Sequence, residues 1–388
     1  IGGMGMTVPI KSDIEKAALP IDQANGLPNW FYTSPDAIAE EKNKIFSKNW
    51  VGIGFAKDVP EPGDVKPVDF LGDPFIISHG RDGVIRVFHN ACRHRGVKIV
   101  QEQGKTTGLL RCPYHAWCYS TEGKLKQTPH VGGPGVHSHP SINKSELGLI
   151  EVRSHTFMDV VFINQSGEAA PFEEHFAEML ERWKEYDKPI YAGGEDSYFE
   201  LNVRTNWKLA VENYCESYHL PFVHPGLNEV SKLEDHANIL SNGAYSGQLT
   251  RAFTAFRSDS GKNFDFFEGL SKRWDKEAEY LSIYPNVLMG VHKDHTFAII
   301  LEPKSETETQ EHISIYYASD DMRNDEYTSM RETNSSFWKE VFEEDIGVCE
   351  AMQVGRKASG FDGGHFSPVM DEATHHFHTW LAGQFLKD

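Results

Sequence analysis

Two histidines and two glutamates crowd into residues 206–224 of this chain. On a single helix, Glu212, Glu216 and His219 recur at intervals of four and three and share a polar face. Trp207, Val211, Tyr214 and Tyr218 form an apolar stripe beside it. His224 lies five residues past His219, so an unbroken helix turning about 100° per residue would leave the two imidazoles roughly 140° apart. Pro221 cannot continue a helix, and it biases Leu220 away from helical geometry. The chain is therefore expected to bend after His219 and bring His224 back toward it. Two imidazoles with carboxylates nearby are the ligand types of a divalent iron or zinc centre. The competing reading is two unrelated histidines at a helix end.

A second group of ligand types lies upstream. Cys92-x-His94 and Cys112-x-x-His115 are separated by 17 residues, 95 to 111. Two cysteines and two histidines can hold structural zinc. They can also hold a [2Fe–2S] cluster with cysteines on one iron and histidines on the other, the Rieske arrangement. Zinc motifs usually pair like ligands locally. Here each loop supplies one thiolate and one imidazole, as two loops facing such a cluster must.

A two-histidine iron site needs a carboxylate from elsewhere. In the predicted helix over 325–356, Trp338, Phe342, Cys349 and Met352 form a row interrupted by Asp345. The adjacent row, Phe337, Val341, Val348 and Ala351, is interrupted by Glu344, while Glu340, Glu343 and Glu350 lie on a polar face. A carboxylate facing a core must be paired or bound to metal. Periodicity alone leaves Glu344 and Asp345 open. His375-His376-x-His378 is read as part of a packed helix rather than a metal cluster, and His130, His137 and His139 as solvent-facing.

Cys92-Arg93-His94-Arg95-Gly96 and Cys112-Pro113-Tyr114-His115-Ala116-Trp117 resemble the two cluster loops of the Rieske non-haem iron oxygenase α subunits. The stretch from Asn206-Trp207-Lys208 to His224 resembles that family's mononuclear-iron motif. The order and spacing match over nearly the whole chain. Two departures stand out: Ala116 where the family usually has glycine, and Glu216 where it usually has aspartate. The resemblance implies Cys92, His94, Cys112 and His115 as cluster ligands, and His219, His224 and Asp345 as ligands of iron(II). Glu216 shares the face of His219 and can hydrogen-bond its second ring nitrogen. The resemblance further implies that Glu216 bridges to His115 of a neighbouring subunit in a head-to-tail homotrimer, and that Asn213 lies near the iron. It implies an oxygenase, monooxygenase or dioxygenase, that uses O₂ and takes electrons from a separate flavin/iron–sulfur reductase or ferredoxin. NAD(P)H would act only through that reductase, because the chain has no glycine-rich dinucleotide fingerprint beside a βαβ pattern. Glu216-x-Tyr218-His219 followed by His224-Pro225-Gly226 resembles the quaternary-ammonium (carnitine and betaine) branch. An aromatic-ring substrate is the alternative; a hydrolytic zinc protein and a simple electron carrier are the rivals from other classes.

The elements needed to position these residues fit a chain of 388 residues, 39% hydrophobic and 24% charged. That length suggests two domains. The fold class expected is α+β, with a small antiparallel β domain over 45–165 and a larger domain over 166–388. The resemblance gives the larger domain an antiparallel sheet with helices, helix-grip-like; residues 1–44 form an arm and helix. Short strands are expected at 50–55, 65–70, 74–79, 84–89, 147–152 and 157–163. Further strands are expected at 198–203, 281–291, 296–301 and 311–317, and helices at 171–186, 325–356 and 373–386. Ser34-Pro35 signals a helix start, and no elements are assigned in 225–280. The first six residues read as an appendage before a native methionine. A net charge of −19 argues against nucleic acid or an anionic membrane as partner. No apolar run approaches the ~20 residues of a membrane span. Five cysteines and no secretory signal at the start suggest reduced thiols in a cytoplasm.

Overall fold

The computed structural model describes residues 7–387, so the six leading residues lie outside the described residues. The chain divides into two compact units. One is Gly52–Glu168; the other joins the residues up to Val51 with those from Ala169 onward. Among the described residues the strands form three sheets.

The smaller unit is built on a seven-stranded sheet. From edge to edge it runs Val51–Phe55, Val160–Asn164, Glu151–Phe157, Ile85–His89, Asp73–His79, Asp64–Phe70 and Gly104–Lys105. A three-stranded sheet of Leu110–Arg111, Cys118–Tyr119 and Leu125–Gln127 accompanies it. The early strands fall where alternation and turn residues place them. The strand expected at 157–163 does not form as one piece. Met158 and Asp159 take positive φ (44° and 69°), and the hairpin turns there, pairing Val160 with Phe157.

The larger unit carries an eight-stranded antiparallel sheet. Its consecutive strands are Tyr191–Ala192, Glu308–Tyr317, His295–Ser305, Val287–Val291, Ala278–Ile283, Tyr245–Thr250 and His236–Ile239, with Tyr198–Val203 also pairing to Glu308–Tyr317. The apolar run at 281–291 is two strands rather than one, folded back across Tyr284-Pro285. Burial on both faces gives a continuous apolar run that hides the turn. The helix expected at 171–186 is broken into Phe172–His175, Ala177–Arg182 and a short 3₁₀ turn at Lys184–Tyr186. The long helix spans Thr328–Gly355 and the last one Glu372–Phe385. Ser34 caps the early helix Pro35–Glu41 by accepting from Asp36 N–H at 3.2 Å.

The central helix is shorter than its stripe suggests. Asn206 caps it, accepting from Lys208 N–H at 3.0 Å, and it ends at Tyr214. Glu216 and His219 therefore lie beyond the helix, and the bend precedes His219 instead of following it. His219 stands at the N-terminus of the single turn Leu220–Val223, where Pro221 is accommodated because its missing N–H would have had no helical partner. Tyr218 drops out of the stripe and is 44% exposed. Glu212, placed on the polar face with Glu216, instead turns inward. It accepts from Tyr32 O–H at 3.1 Å and pairs with His378.

Candidate active site

In the smaller unit two equivalent loops are closed by their own backbones. Gly96 N–H donates to Cys92 O at 2.8 Å, and Ala116 N–H donates to Cys112 O at 3.1 Å. Gly96 and Ala116, each four residues past its cysteine, take the same left-handed conformation, φ +77° and +58°. Glycine adopts it freely; alanine does so at a cost of about 1 kcal/mol. Both thiols are free and buried, in a core with Ile76, Phe88, Trp117 and Tyr119. Tyr119 Oη lies 3.2 Å from Cys92 Sγ. His94 and His115 stand outside that core, both exposed, their ring centroids 4.8 Å apart. Burial, with Cys92 beside it, pushes the Cys112 thiol up. Two buried sulfurs beside two exposed imidazoles fit a group that takes thiolate ligands on its inner side and nitrogen ligands outside.

In the larger unit, three ligand atoms from two distant segments converge. His219 Nε2 and His224 Nε2 are 3.2 Å apart, and Asp345 Oδ1 lies 3.4 and 3.0 Å from them. Among the described residues, these three form a cluster able to hold a metal ion. One divalent ion would be held by all three atoms, which are the donor set of a two-histidine, one-carboxylate iron site. His219 Nδ1–H donates to Glu216 Oε1 at 2.6 Å, which turns the Nε2 lone pair into the cluster. Asn213 Nδ2 donates to Asp345 Oδ1 at 3.2 Å. Three electron-rich atoms this close need a cation among them. Without a metal the need falls on a proton: burial would lower His219, but hydrogen bonds to Asp345 and Glu216 outweigh it and carry the imidazole up to about 10. Burial would raise the Asp345 carboxyl, but hydrogen bonds with His219 and His224 hold it low.

The structure separates the two neighbours that periodicity could not. Asp345 shares a helix face with Trp338, Phe342 and Cys349, all buried. Glu344 lies on a row whose Phe337 and Ala351 are exposed, and it reaches only the far side of His224, 3.4 Å from Nδ1, without hydrogen-bonding it. The C-terminal histidines diverge. His375 contacts Leu19 O, His376 contacts Tyr284 Oη and Ser241 O, and His378 contacts Glu212. His130, His137 and His139 are exposed.

A cavity of about 490 Å³ opens onto the three ligands. Its wall includes Tyr280, Phe297, Trp338 and Phe342. Tyr280, Gly290 and Phe297 lie side by side across three strands. A Cβ on Gly290 would fall 2.5 Å from the Phe297 ring, so only glycine lets that ring lie over the sheet. Sequence reasoning missed this wall, along with the turn His292-Lys293-Asp294-His295 behind it. Four polar residues between two apolar strands were the available signal.

A sequence model for the ring hydroxylating alpha subunit (catalytic domain) matches residues 180–386, more than half of the chain, and one for the Rieske [2Fe-2S] domain matches residues 49–141. The chain belongs to this family. This α subunit is thus a Rieske oxygenase whose cofactors are a [2Fe–2S] cluster and a mononuclear iron, and the zinc readings fall away. It is 27% identical over 377 residues to the carnitine monooxygenase oxygenase subunit of Escherichia coli (strain K12), covering 93% of this chain and 94% of the relative. It is 26% identical over 395 residues to the chloroplastic choline monooxygenase of Arabidopsis thaliana, covering 95% and 86%. The crystal structure of the quaternary ammonium Rieske monooxygenase CntA with L-carnitine matches with a TM-score of 0.75 at 23% identity, covering 98% of this chain and 99% of the other. At that identity the likeness is one of fold. No helix among the described residues is long and apolar enough to cross a membrane.

Proposed function

We propose that this α subunit oxidises a small quaternary amine, by hydroxylation or N-demethylation, with electrons from a separate flavin/iron–sulfur reductase or ferredoxin in the cytoplasm. The observation that carries this reading is the aromatic wall of Tyr280, Phe297 and Trp338 in the same cavity as His219, His224 and Asp345. Aromatic faces attract an alkylated cation that cannot donate hydrogen bonds. The names of the carnitine and choline relatives support the same class.

In this reading, residues 45–165 form the cluster domain and 166–388 the catalytic domain, with 1–44 as an arm. Cys92, His94, Cys112 and His115 hold the cluster, and His219, His224 and Asp345 hold the iron. When bound, the cluster supplies single electrons and the iron activates dioxygen. Glu216 fixes the proton of His219 on Nδ1, and Asn213 restrains Asp345. The apolar cavity binds substrate and excludes water. Glu216 also links to His115 of a neighbouring copy in a homotrimer.

The test is substrate-dependent oxygen uptake with a surrogate reductase, across quaternary amines and aromatic acids. Uptake stimulated by quaternary amines, with matching product, is expected. Stimulation by aromatic acids alone would transfer the enzyme to the ring-hydroxylating alternative.

A further inference from the structure

The cavity wall specifies more than an organic cation. Two of its aromatic side chains are held from behind by a pair of stacked imidazoles, His292 and His295, with centroids 4.2 Å apart and planes 13° from parallel. Trp338 Nε1–H donates to His295 Nε2 at 2.8 Å, and His295 Nδ1–H donates to the buried Asp294 Oδ1 at 2.7 Å. His292 Nδ1 lies 3.2 Å from the His295 carbonyl, which can only accept. Its Nε2 is therefore the acceptor for Tyr280 O–H at 3.0 Å. His295 is neutral by this wiring, because its Nε2 accepts from an indole that can only donate. Burial holds His292 well below the ordinary imidazole value, so it too is neutral. An indole N–H and a phenol O–H that each donate to neutral imidazole leave electron-richer π faces toward the cavity, and those faces favour a cation.

The rest of the wall carries no positive charge. Among the described residues no lysine or arginine lines the cavity. The remaining histidine there, His236, has both ring nitrogens occupied, by Gln248 and Ser231. Asp345 and Glu216 already match the two charges of a divalent ion at the triad. A substrate carboxylate would lose its water and gain no counter-charge.

We infer that the cavity selects a quaternary ammonium compound whose other end is uncharged, a hydroxyl or a short alkyl group, and discriminates against those ending in a carboxylate. This rests on the quaternary-amine reading above and sharpens it. The experiment is calorimetric titration of the intact, iron-loaded protein with choline, glycine betaine, the neutral carbon isostere 3,3-dimethyl-1-butanol, and benzoate, repeated with Tyr280→Phe. Choline is expected to bind at least about tenfold more tightly than either glycine betaine or the isostere. Tyr280→Phe should weaken choline severalfold and leave the isostere unchanged. Glycine betaine binding as tightly as choline would overturn this inference and leave the quaternary-amine function standing. An unchanged choline affinity in Tyr280→Phe would overturn the role of the wired wall. Benzoate binding without either amine, or no binding by any ligand, would overturn both readings.

Discussion

The two candidate metal sites are built in opposite ways. The Cys/His site comes from two short loops, 20 residues apart from first cysteine to second (92 to 112), and it buries its sulfurs while leaving its imidazoles exposed. The triad joins a turn at 219–224 to a helix residue more than 120 positions later, and His224 is buried, as are Phe297, Trp338 and Phe342 of the cavity wall. One is suited to exchanging electrons at a surface, the other to keeping dioxygen chemistry away from water. Because they share no ligand, each should be removable without the other.

That independence gives the largest expected effects. Cys112→Ser should abolish visible absorption and acid-labile sulfide while retaining one iron per chain. Asp345→Ala should do the reverse, keeping the colour and losing that iron. Each should reduce turnover beyond the roughly 10–100-fold that a supporting contact is worth. Iron and sulfide analysis beside the spectrum would decide it, and loss of both metals in either variant would break the contrast. Glu216→Gln should keep both metals yet slow single-turnover oxidation by roughly 10–100-fold; an unchanged rate would take Glu216 out of the link between them. Glu344→Ala, by contrast, should shift iron affinity less than about tenfold. A larger loss than in Asp345→Ala would mean the ligands are misassigned.

The smallest effect concerns pH. Burial, then the charge of Asp345, push the Glu311 carboxyl up to about 8 from 4.5. The folded value exceeds the unfolded one, so this contribution to stability is full below about pH 4.5 and is lost as pH rises through about 8. In metal-stripped protein, raising the pH across that window should lower the melting temperature by about 2–4 °C more in wild type than in Glu311→Gln. Parallel melting curves would show that Glu311 binds its proton no more tightly when folded.

The same contrast explains what could be read in advance. The Rieske domain was legible because the cysteines, histidines and turns of its paired loops are local, and the spacing of Cys92, His94, Cys112 and His115 carries the pattern. His219 and His224 were also visible, though for a partly mistaken reason. The helix stops at Tyr214, and its apolar residues beyond that point do not reveal the end. Asp345 could not be told from Glu344, since one position along a helix turns a side chain only about 100°. Tertiary packing decides which of them faces the histidines. The wiring of Tyr280 and Trp338 to His292 and His295 was out of reach, because it depends on strand register and on a hairpin hidden inside an apolar run.

Ala116 has a consequence for how the cluster loop behaves when empty. Its methyl group opposes the left-handed bend that Gly96 accepts without cost in the sister loop. In the proposed reading the second loop is thus a sprung clasp that the cluster would help to hold shut, whereas the first rests closed. Stripped of its cluster, the protein should relax first at residues 112–117, and that half of the clasp should be the slower to rebuild.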